Sequence, residues 1–109
     1  MESRKQELLD ELERYYRGCG WKVDREADGT LRAAGTGGVT WIGMAVVGSD
    51  LEQEDFVARL VELSDVRMGK DGARCPFELL PDPDCAGEVR SLLERLRLAE
   101  RVSVYSLAA

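Results

Sequence analysis

Few side chains in this sequence can do chemistry, and Cys85 has the best case. It follows Asp82-Pro83, which reads as an N-cap and a first helical residue, so its thiol should sit near the third position of a helix. Free amides and the helix dipole favour a thiolate there. Asp82 and Asp84 oppose that charge, and no histidine is present to act as a base. An inert, buried cysteine is the expectation, with a reactive thiol as the alternative.

The missing histidine reaches further than Cys85. It removes Ser-His-Asp and Cys-His catalysis, histidine acid–base work and histidine-ligated metals together. Two carboxylate runs remain. Asp24 to Asp28 reads as the wet edge of a hairpin, and Asp50, Glu52, Glu54 and Asp55 as charge at the start of a helix. Neither has the spacing of a calcium loop, so no metal and no cofactor is expected. Gly35-Thr36-Gly37-Gly38 leads into a strand rather than a helix, with no Lys-Ser/Thr after it, which makes it a turn and not a phosphate loop. Arg67, Lys70 and Arg74 lie in a polar loop that offers itself, weakly, to an acidic partner.

The elements that position these residues are organised by Ala33 to Ser49, the longest stretch without a charge. Val39 to Val47 is apolar on both faces and rich in β-branched residues, so it predicts a strand interior to a sheet covered on two sides. Trp41, Ile42, Met44 and Val46 should be almost fully buried. Before it, Ser3 to Arg17 predicts a helix whose stripe includes Leu8, Leu9, Leu12, Tyr15 and Tyr16, ending at Gly18. Trp21 to Arg25 and Thr30 to Ala34 form a hairpin around Asp28-Gly29. After it comes a helix capped by Ser49 and Glu52 and ending near Ser64, with Phe56, Val57, Leu60, Val61 and Leu63 as its buried face. Cys75 to Leu80 is a strand. A third helix follows Asp82, buries Val89, Leu92, Leu93 and Leu96, and carries Arg95 and Arg97 in its last turns. Val102 to Leu107 alternates as a final strand.

One α+β domain over residues 1–109 results, in the order α-β-β-β-α-β-α-β. Its mixed sheet should have about five strands with helices mainly on one face. From Ser3 to about Leu80 this order resembles the core of the restriction-endonuclease-like nucleases. The resemblance implies an Asp/Glu-x-Lys pair on the third strand, but Lys5 follows Ser3, Lys22 follows Gly20 and Lys70 follows Met68. No catalytic residue carries over. In size, acidity and its opening helix and three strands, the chain also resembles the type III secretion chaperones, which implies an acidic dimer.

A net charge of −6 and a sequence pI near 4.7 argue against duplex DNA or an anionic membrane as partner. Met1 to Arg14 lacks the apolar core of a secretory signal, and three cysteines without a CxxC pair suit reduced thiols, so the cytoplasm is the expected compartment. The function expected is a non-enzymatic protein-interaction module, chaperone-, immunity- or regulator-like. The alternative is a small-ligand-binding or thiol-dependent enzyme using Cys85. The uncharged final strand, with Val104, Tyr105 and Leu107, is the expected surface for self-association into a homodimer.

Overall fold

The uncharged stretch becomes the middle strand of the sheet. The computed structural model describes residues 3–26, 29–35, 39–68 and 72–105. Helix α1 (Ser3–Gly18) is followed by strands β1 (Lys22–Arg25), β2 (Thr30–Ala34) and β3 (Thr40–Val46). A 3-10 turn (Gly48–Glu52) leads to α2 (Phe56–Leu63), a small hairpin of β4 (Arg67–Met68) and β5 (Ala73–Arg74), and β6 (Phe77–Pro81). A second 3-10 turn (Pro83–Cys85) opens α3 (Ala86–Arg95), and β7 (Val102–Val104) closes the order. The main sheet runs β1-β2-β3-β6-β7. Its first three strands are antiparallel, while β3–β6 and β6–β7 are parallel, each parallel neighbour being reached through a helix. The fold is α+β, as its element order predicts.

Strand β3 serves two cores because its side chains alternate. Ile42, Met44 and Val46 pack with Phe56, Leu60, Val89 and Leu93 from α2 and α3. Ala45 and Val47 face the other way, with Leu8, Leu9, Leu12 and Tyr16 of α1. Two helices therefore share one face and α1 has the other to itself. Trp41 is half-buried rather than buried, because it lies near the end of the strand and stacks on Trp21 with ring centroids 5.0 Å apart. Gly43 is required where it stands. A Cβ there would lie 2.6 Å from the Tyr16 hydroxyl and 2.8 Å from Leu12 Cδ2, so its absence lets α1 close on the sheet.

Several local expectations are corrected. Gly18 is still helical, and the left-handed residue that ends α1 is Gly20 (φ 86°), with Trp21 N–H donating to Tyr16 C=O at 3.3 Å. The turn before α2 is held by Asp50, not by Ser49 and Glu52. Its carboxylate accepts from Val47 N–H and from Lys5 Nζ, each at 2.9 Å, which ties α1 to the end of β3. On α2, Phe56, Leu60 and Leu63 are buried, but Val57 and Val61 are 39% and 48% exposed. They sit about 100° round the helix from that stripe, too far to reach the sheet. Arg97 is not in the last turn of α3. It is the left-handed residue after it (φ 59°), with Leu98 N–H bonded back to Leu93 C=O at 2.8 Å. Among the described residues, no helix is long and apolar enough to cross a membrane.

Candidate interaction surface

Cys85 is buried against the core shared by α2 and α3, and its Sγ lies 3.8 Å from Val46 C=O. Burial first, and then the negative charge of Asp82, push its thiol above the ordinary range. That is opposite to what a nucleophile needs. Cys75 is also buried and pushed up by burial, and Cys19 is exposed. All three thiols are free.

The basic loop is a hairpin instead. Arg67 and Arg74 are cross-strand partners, and both reach Asp65, at 3.2 and 3.0 Å. Arg67 also donates to Gly72 C=O at 2.6 Å. Asp65, held below the usual carboxylate range by Arg74 and Arg67, already answers their charge. Lys70 lies outside the described residues. Among those residues, no group of three His, Cys, Asp or Glu is placed to hold a metal ion.

The sheet's two edges differ in kind. On β1, exposed Lys22, Asp24 and Arg25 line the edge, and Arg25 reaches across to Asp10, to Glu13 at 2.8 Å and to Gln6 at 3.2 Å on α1. Charge of this sort blocks pairing with another strand. On β7, the residues are Val102, Ser103 and Val104, without charge. Tyr105 N–H donates inward to Leu79 C=O at 2.8 Å, so strand alternation turns the peptide groups of Val104 and Val102 outward. Val102 N–H is taken by Leu98 C=O at 3.0 Å. The N–H and C=O of Val104 and the C=O of Val102 remain on the outer side, next to an open groove of about 440 Å³ between α3 and β7 whose lining includes Arg90 and Glu94 as well as Leu93, Ala99, Val102 and Val104. Leu107 lies outside the described residues.

Tyr105 has a second role, and it exposes a residue that sequence reading passed over. Glu78 on β6 is only 3% exposed. Tyr16 donates to its Oε1 at 2.7 Å, and Tyr105 donates to its Oε2. Burial, followed by the bond to Glu78, pushes both phenols well above their ordinary range. Glu78 pairs in register with Gly43, so the space left by the missing Cβ is where Tyr16 reaches the carboxylate. With both oxygens occupied and little exposure, the trio clamps α1, β6 and the end of β7 together. Its sequence signal was a single acid inside the apolar strand Phe77-Glu78-Leu79-Leu80.

No known protein family, curated protein or solved structure matches this chain.

Proposed function

We propose that this protein is a non-enzymatic interaction module that associates through its sheet edge, in the first place with a second copy of itself. The observation that carries this is the uncharged β7 edge with outward-facing peptide groups beside the α3 groove. A two-fold axis normal to the sheet sets β7 antiparallel to its mate, so the Val104 N–H of each copy meets an acceptor on the other. Three residues are a short edge. A stable interface needs about 1,200 Å² in total, so the neighbouring surface of α3 must join it, and the dimer should be weak and concentration-dependent. Nothing favours the thiol-dependent reading of Cys85. The free thiols suit a reducing cytoplasm.

The test is light scattering across a concentration series. Tyr105 is a poor site to alter, because its hydroxyl bonds to buried Glu78. Val104→Pro is better, since it removes an outward N–H and leaves the bond from Tyr105 to Leu79 in place. The wild type should approach a dimer at high micromolar concentration, and Val104→Pro should stay monomeric with its circular dichroism unchanged. A strictly monomeric wild type overturns the proposal.

A further inference from the structure

Every tryptophan and tyrosine of the chain belongs to one row of rings, while both phenylalanines lie in the core on the other face of the sheet. Trp41 stacks on Trp21 with centroids 5.0 Å apart, and Trp21 stacks on Tyr16 at 5.7 Å. Tyr16 meets Tyr15 at 5.8 Å, and Tyr15 meets Tyr105 at 5.6 Å. The two tryptophans are half-buried, Tyr16 is fully buried and Tyr15 is 53% exposed. Packing alone does not require tyrosine in the middle of this row. Phenylalanine at position 16 would fill the same space, and an apolar residue at position 78 would avoid burying a carboxylate. The rings present are instead the two aromatic types that give up an electron most readily. An acceptor for a phenolic proton, Glu78 Oε1, lies 2.7 Å from the Tyr16 oxygen.

We propose that this row carries a one-electron oxidising equivalent from the Trp41–Trp21 pair, through Tyr16, to the surface at Tyr15. A diffusing one-electron oxidant, of the carbonate- or peroxyl-radical class, takes an electron from the tryptophan pair. Tyr16 gives an electron to the oxidised Trp21, and its phenolic proton moves along the existing hydrogen bond to Glu78 Oε1. Tyr15 then reduces the Tyr16 radical, Glu78 returns the proton to the Tyr16 oxygen, and Tyr15 releases its own proton to water. A soluble thiol restores Tyr15 by giving it a hydrogen atom. Only O–H and S–H bonds change, and the electron gained by the oxidant is the one the thiol supplies. The relay uses none of the peptide groups of the β7 edge and stands apart from association there.

The test attaches a ruthenium polypyridyl photo-oxidant to Lys22→Cys, an exposed position next to Trp21, in the full chain. Cys19→Ser removes the other exposed thiol from this background, Cys75 and Cys85 being buried. After a flash with an added quencher, transient absorption should show a tryptophan radical giving way to a tyrosyl radical. That exchange should slow in heavy water, because a proton moves with the electron. Tyr16→Phe keeps the ring and should lengthen the life of the tryptophan radical about tenfold or more. Glu78→Gln should slow the exchange by a similar factor, since the amide cannot take the proton. Should either variant fail to fold by circular dichroism, Trp21→Phe decides, because it should strand the radical on Trp41. A tryptophan radical that decays at one rate in all these proteins overturns the proposal. So does a tyrosyl radical that forms undiminished in Tyr16→Phe or Trp21→Phe.

Discussion

Glu78 is the residue with most at stake in the interior. A buried carboxylate is costly unless its oxygens find donors, and here both donors are phenols, Tyr16 and Tyr105. Tyr16→Phe keeps the ring and removes one donor, so it should cost about 1–3 kcal/mol. The same contact sets a pH window. A phenol whose pKa is raised in the fold keeps its proton where the unfolded chain would release it. Its contribution is therefore complete below roughly pH 10 and is lost as pH climbs beyond that. The buried thiols of Cys75 and Cys85, also pushed up, begin a similar loss from about pH 8.5. Urea midpoints measured from neutral to strongly alkaline pH should fall in the wild type, with the part above roughly pH 10 shallower in Tyr16→Phe. Equal slopes there would show that the Tyr16 phenol carries none of it. The acid itself was legible as a break in an apolar strand. Its partners were not, because Tyr16 lies 62 residues earlier and only the folded register brings them together.

Elements were readable where one physical signal governed them. The strand at β3 follows from its lack of charge on either face, and the β1–β2 hairpin from its alternation and turn. The boundaries that failed depend on geometry beyond the local pattern. Arg97 takes a left-handed conformation that favours glycine, because Leu98 beyond it is buried and pulls the chain toward β7. On α2, an apolar run on two sides did not say which side meets the sheet. Gly43 illustrates the opposite case, a visible residue whose reason appears only in the packing. Gly43→Ala should destabilise by about 1–3 kcal/mol, since the new methyl must displace Tyr16 or lift α1. Gly48→Ala is the control, because a Cβ there meets nothing within 4 Å. Thermal melts of the two variants should separate clearly. Similar melting would mean that α1 has slack over β3.

At the scale of the whole molecule, the distribution of charge says more than its sum. The chain has 15 cations against 21 acids, an excess that sequence alone reveals. What it hides is how the cations are spent. Arg4, Arg14, Arg17, Arg25, Arg32, Arg67 and Arg74 each hold a carboxylate. Such exposed pairs, screened by solvent, add little stability. They offset the charge of these seven arginines locally. To contact phosphates, each of these arginines would first have to leave its carboxylate, as Arg25 would Asp10 and Glu13 and Arg74 would Asp65, and the carboxylates left behind would then face the duplex. Gel-shift titration with a duplex of arbitrary sequence should therefore show no retarded band at physiological salt, and only weak retardation when salt is lowered. Submicromolar binding with a steep salt dependence would overturn this expectation and point to the exposed Arg95, Arg97 and Arg101 near the end of α3.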